Sequence, residues 1–171
     1  MAALHREGLT ATVKTLSPYT TGDLLEVLGT LDLAGHPVVL VHYGERNLML
    51  LEALTSQGAV VLELLVYEWA LPEDTGALAR AAEALVAGEF AAAAFTTQIQ
   101  ARHLMAVASR NGRRNQLVAA LRSRVVVAAV GPTCARVLEE LGIPPHVVPE
   151  APKMGSMLEA LVDRLASRTA A

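Results

Sequence analysis

"VVVAAVGPTCARVLEELG", residues 125–142, sets six apolar residues ahead of a Gly-Pro-Thr corner and a helical pattern. The run is short and largely β-branched, which reads as a buried strand over 125–130 rather than a helix. Pro132 suits a first helical position, where its missing N–H costs nothing and its fixed φ is already helical. Leu138, Leu141 and Ile143 give that helix an apolar side, and Gly142 ends it. The corner leaves the amides of Thr133, Cys134 and Ala135 without intrahelical partners at the positive end of the helix dipole. Those amides either take water and the Thr133 hydroxyl, or they seat an anion. On the corner alone the first reading is favoured.

Working outward, strand-like runs fall at Val38–Tyr43, Ala59–Tyr67, Phe90–Thr96, Val125–Val130 and His146–Val148, with helical patterns between them. Alternation of this kind predicts an α/β fold of parallel sheets flanked by helices. Ligands of such sheets sit beyond the carboxyl ends of the strands. The segment "LLVYEWALPED" (64–74) leaves a strand, carries the only tryptophan and meets Pro72. It reads as an extended connector, with 1–67 part of a first lobe and 68–171 a second.

An internal repeat is visible. "TTGDLLEVL" (20–28) and "KMGSMLEAL" (153–161) share Gly22/Gly155, Leu25/Leu158, Glu26/Glu159 and Leu28/Leu161. Each follows a glycine and a Val-containing run, "EGLTATV" (7–13) and "LGIPPHVV" (141–148), both expected as strands. No strand–Gly-Pro-Thr–helix stands before the first copy. The repeat thus predicts the rear portion of a larger two-unit protein, with its N-terminal portion missing and the second lobe lacking an opening strand–helix unit.

Over 171 residues, 53% are hydrophobic and only 4% aromatic, so the core is one of Leu, Val and Ala. A net charge of −3 gives no reason to expect a polyanionic partner. No run approaches a membrane span, and "MAALHREG" reads as a cytosolic start, so the expected localisation is cytoplasmic. The single cysteine excludes an internal disulfide framework and CxxC motifs. The five histidines lack metal-ligand spacing, so no metal is assigned. Neither GxGxxG nor a Walker A pattern occurs. Arg110, Arg113 and Arg114 lack interleaved aromatics and read as a solvated basic loop.

The stretches "PVVLVHYGERNLMLLEALTSQGAVV" (37–61), "LLVYEWALPED" (64–74), "AAAAFTTQIQARHL" (91–104), "VVVAAVGPTCARVLEELGIPPHVVPE" (125–150) and "PKMGSMLEAL" (152–161) resemble the uroporphyrinogen-III synthase family, over about the rear two-thirds of its length. The resemblance implies two α/β lobes joined by a connector. It also implies a cofactor-free reaction, in which hydroxymethylbilane loses water and closes with its last pyrrole ring inverted. The partner it implies is a polycarboxylate tetrapyrrole, with no membrane and with nucleic acid only through a possible fused domain outside this chain. Some relatives carry a winged-helix domain, so a catalytically silent sensing module of a transcriptional regulator is the alternative.

By that resemblance Tyr67 is the connector tyrosine and a general acid toward the departing hydroxyl. The binding set is Thr96, Thr97 and Gln98 at one corner, Gly131, Thr133 and Cys134 at a second, Tyr43 and Gly44 at a third, and Gly155 and Ser156 at a last helix. The family's Thr-Ser is Thr96-Thr97 in this chain, and its Asp at the strand's start is Ala91. Cys134 occupies a helix N-terminus, where a thiol pKa falls; without a base partner it reads as a small packed residue. For each corner, simple helix capping is the competing reading.

Overall fold

Two parallel strand pairs organise the chain, and each of their strands comes from one of the apolar runs above. The computed structural model describes residues 2–16 and 19–169, and the chain divides into two compact units, Met1–Trp69 and Ala70–Ala171.

The first unit holds α1 (Ala2–Arg6), α2 (Thr21–Leu28), β1 (Pro37–Gly44), α3 (Leu48–Ser56) and β2 (Val60–Glu68). β1 and β2 run parallel, with Val38 beside Val61 and Leu40 beside Glu63. Leu40 packs with Leu50, Leu54 and Ala59, and Leu24, Leu25 and Leu28 of α2 close over them. Both helices start on side-chain caps. The Asp23 carboxylate takes the Thr20 N–H at 2.6 Å, and Asn47 Oδ1 takes the Leu50 N–H at 3.1 Å. Asn47 also donates from Nδ2 to Thr21 Oγ1 at 2.8 Å, which ties the two helix starts together.

The second unit holds α4 (Gly76–Ala87), β3 (Ala92–Phe95), α5 (Gln98–Arg110), α6 (Arg114–Ser123), β4 (Val126–Ala129), α7 (Pro132–Glu140) and α8 (Met154–Thr169). Gly88 ends α4 at φ 82°, a left-handed conformation that glycine adopts without a Cβ penalty. The run around β4 shows its period-two alternation. Val125, Val127 and Ala129 join a core with Leu104, Leu117, Leu121 and Leu138, while Val126 and Ala128 face Val147, Met157 and Leu161. A near-continuous apolar strand buried on both faces is what a parallel sheet requires.

Two expected strands differ. Among the described residues 7–13 join no strand; the amides of Gly8 and Leu9 instead close the end of α1 on the His5 and Leu4 carbonyls. The repeat therefore holds for the helices, α2 and α8, but not for the segment before the first. His146–Val148 shrinks to a single bridge, Val147 to Ala128. Pro144, Pro145 and Pro149 remove amides on both sides of it, and His146 Nδ1 replaces a backbone acceptor by taking the Val127 N–H at 3.0 Å.

Leu138 has no exposed surface. Leu138→Ala is expected to cost about 2–5 kcal/mol of stability, against under about 0.5 for Val162→Ala on the exposed side of α8. Urea unfolding followed by circular dichroism measures both.

Candidate functional site

The parallel pairing of β3 and β4 decides what meets in the second unit. Phe95 lies in register with Ala129, and Val130 donates its N–H to the Phe95 carbonyl at 3.0 Å. The turns that follow, Thr96-Thr97-Gln98 and Gly131-Pro132-Thr133, therefore stand side by side at the carboxyl end of one sheet. The loop from Val147 brings Pro152 against Gly131, where an added Cβ would sit 2.8 Å from the proline Cβ. Gly155 and Ser156, in the first turn of α8, follow three and four residues later. The sheet thus gathers three of the predicted corners: α5, α7 and α8 all begin there.

The corners are not equally open. Thr133 is exposed, and Thr96, Thr97 and Gln98 are half-buried. The amides of Thr96 and Thr97 already have a partner in Gln100, whose Oε1 accepts them at 2.9 and 3.2 Å and the Thr96 hydroxyl at 3.3 Å. Gln100 went unremarked in the sequence, although Thr97-x-x-Gln100 has the spacing of a capping box. Gly131 has an extended backbone, and Pro152 accounts for the missing side chain.

Cys134 turns inward: it is buried, and its thiol points to the Phe95 carbonyl at 3.5 Å. Burial pushes the thiol pKa up, against the expectation for a helix N-terminus, and outweighs the opposing hydrogen bond to the Val130 backbone. Its side chain is core, and only its amide belongs to the corner.

The other predicted residues lie in the first unit. Tyr43, Tyr67 and Trp69 form a closed set of edge-to-face contacts, with centroids 5.3 Å (Tyr43–Tyr67), 5.6 Å (Tyr67–Trp69) and 6.2 Å (Tyr43–Trp69) apart. Gly44 has φ 75°, and a Cβ there would fall 1.7 Å from the indole Nε1. What approaches this glycine closely is Trp69, a residue the sequence marked only as part of a connector. Desolvation first, and the Tyr43 phenol second, raise the Tyr67 pKa to about 12. The phenol therefore stays protonated through the neutral range.

Beneath the aromatics lies a polar group that sequence reasoning missed. His42 is buried, and its Nδ1 accepts the Asn47 N–H at 3.1 Å. That leaves the ring proton on Nε2, which faces Glu63 Oε2 at 2.7 Å. Arg46 forks onto the same carboxylate, with Nε 2.9 Å from Oε2. Both interactions hold the Glu63 carboxyl below its ordinary value, Arg46 the more strongly. Its only signal in the sequence was a lone Glu within the apolar run 60–67. Among the described residues no cluster of three or more His, Cys, Asp or Glu is arranged to hold a metal, and no helix is long and apolar enough to cross a membrane.

A family model described as uroporphyrinogen-III synthase HemD matches residues 1–159. The uncharacterized protein YjjA of Bacillus subtilis is 33% identical over 161 residues, covering 94% of this chain and 59% of that protein. A relative from Methanothermobacter thermautotrophicus is 36% identical over 143 residues, 84% of this chain and 55% of its own. Among solved structures, a mutant uroporphyrinogen III synthase of Thermus thermophilus superposes with a TM-score of 0.70 at 32% identity, over 98% of this chain and 62% of that one. The chain thus spans roughly three-fifths of the proteins it matches.

Two titrations follow from the site. Stabilisation through Glu63 is complete above its unfolded value of 4.5 and is lost as pH falls through the lowered folded value. Glu63→Gln should be less stable at neutral pH and should lack this acid-dependent loss in urea melts at stepped pH. The Tyr67 effect is present below pH 10 and is lost as pH rises toward about 12. Absorbance titration of phenolate formation should lose its highest-pH component in Tyr67→Phe.

Proposed function

The chain belongs to the uroporphyrinogen-III synthase family, and from that premise we propose that it carries out, as all or part of such an enzyme, the cyclisation of hydroxymethylbilane to the type III isomer. The reaction is a lyase step in tetrapyrrole and heme biosynthesis. The proposal assigns it to the cytoplasm, without a cofactor. One observation carries the reading: three helix-opening corners share the carboxyl end of the sheet in the second unit.

A linear tetrapyrrole with eight carboxylates is flexible and strongly anionic. Folding it for ring closure requires several fixed points of positive potential, and helix-terminal amides supply them without any ionisable side chain. In this reading the Thr133 and Ser156 hydroxyls and the amides around them hold carboxylates. The Thr96-Thr97-Gln98 amides do so once Gln100 yields them. Tyr43 and Gly44 contribute from the first unit.

The chemical demand falls on the hydroxyl that leaves as water. Its departure generates a cation stabilised by the pyrrole nitrogen; the far ring attacks that cation at its substituted carbon, and the resulting spiro intermediate breaks its older bond there and recloses with that ring inverted. Tyr67 donates a hydrogen bond or proton to the leaving oxygen. The phenol is neutral at the working pH and so able to donate, with the Tyr43 and Trp69 rings packed against it. Positioning carries most of the acceleration in this account, and the acid a smaller part.

The protein, incubated with hydroxymethylbilane, is expected to shift the product from the spontaneous type I isomer to type III. Tyr67→Phe should lower that rate by about 10²-fold or more. Isomer analysis by chromatography after oxidation to porphyrins reads both, and type I alone from the unmodified protein rejects the proposal.

A further inference from the structure

The side chains that meet at the carboxyl end of the first unit's sheet are aromatic and acidic. Tyr43, Tyr67 and Trp69 stand steeply to one another, at interplanar angles of 81°, 65° and 80°. They are not core: Tyr43 is 78% exposed, and Tyr67 and Trp69 are 39% exposed each. The chain has one tryptophan, three tyrosines and two phenylalanines, so a sequence poor in aromatics sets half of them at one open point. Gly44 allows the grouping, because the indole fills the space its Cβ would take.

The charges around the rings are mostly negative. Glu45 bridges back to Tyr43, Glu68 lies in register with Gly44, and both are exposed. Arg46, the cation of this turn, is already paired with Glu63. Residues 43–46, 63 and 67–69 thus carry three carboxylates against one guanidinium. That balance favours a positive guest over a carboxylate. Aromatic faces add to it, since the ring quadrupole attracts a cation within about 6 Å of a centroid. Rings with centroids 5.3, 5.6 and 6.2 Å apart can all reach one guest.

We propose that Tyr43, Tyr67 and Trp69 form a seat for a planar, delocalised pyrrole cation. The reaction proposed above generates such a species, and its identification as the guest rests on that reading. When the carbon–oxygen bond breaks, its electron pair leaves with the oxygen, which takes a proton and departs as water. The positive charge spreads over the freed carbon and the pyrrole nitrogen, and the aromatic faces stabilise it there. Trp69 contributes most, because indole is the best cation–π partner among the side chains. The first unit then serves the cation of the reaction, and the helix-opening corners of the second serve the carboxylates.

The test reads binding, so it does not need the cyclisation to occur. The probe is an alkyl-substituted dipyrrinium salt, planar and cationic at mildly acid pH, with the matching neutral dipyrromethane as control. Equilibrium dialysis against the 171-residue chain should show the cation bound about 10-fold more tightly than the neutral compound. Trp69→Leu should remove most of that preference. The single tryptophan offers a milder change: growth on tryptophans with one, two or three ring fluorines alters Trp69 alone. Each fluorine weakens the negative face of the indole, so the preference should fall stepwise along the series. Equal affinities for the two probes, or a preference that neither Trp69→Leu nor fluorination lowers, overturns the inference. A graded preference in a chain that yields only the type I isomer rejects the reaction and upholds the seat. Formation of the type III isomer without any preference does the reverse.

Discussion

Four residues against four, Ala92–Phe95 beside Val126–Ala129, hold the two strand-to-helix turns of the second unit side by side. The pair is parallel, so both strands point their carboxyl ends the same way, and both helices that follow start at the same edge. Alanine dominates β3, and β4 alternates between two cores, so helices pack closely on either side. A one-residue slip would exchange the two faces of β4, turning Val127 and Ala129 out of the larger core. It would also part the Thr96 and Gly131 turns. Packing thus enforces the register, and the register sets the spacing of the corners.

The first unit solves a different problem, which is how to place a charged carboxylate within an apolar strand. Glu63 sits in register with Leu40, half-buried between apolar neighbours of its own strand. His42 and Arg46 meet it from either side, and His42 is itself completed by the amide at the start of α3. The network links β1, β2 and a helix cap, so it reinforces the sheet end on which Tyr43, Tyr67 and Trp69 stand. Removing one member leaves the others with unmet hydrogen-bonding groups.

Much of this was legible in the residues, for identifiable reasons. Runs such as 38–43 and 125–130 are too short and too branched for helices, and glycines and prolines bracket them. The corners could be named because strand-to-helix turns leave bare amides wherever they occur. The failures have equally local causes. Residues 7–13 alternate like a strand, but a strand exists only if a neighbour offers an edge, and no periodicity within seven residues reports on that. At 146–148 the prolines were visible, yet the substitution of an imidazole for a carbonyl was not. At Cys134 burial decides the character of the thiol, and burial depends on the helix's rotation about its axis. Trp69 over Gly44 is a contact across 25 positions of chain, beyond the reach of local pattern.

The Gln100 carboxamide has a consequence for selectivity. Because its oxygen already satisfies the Thr96 and Thr97 amides, a guest arriving there performs an exchange rather than filling a void. A neutral oxygen replaces like with like and gains almost nothing. An ionised oxygen gains the difference between a charge-assisted and an ordinary hydrogen bond, roughly a factor of two in strength. On the proposed reading, an acid would gain from displacing the Gln100 oxygen at this turn where a neutral guest would not.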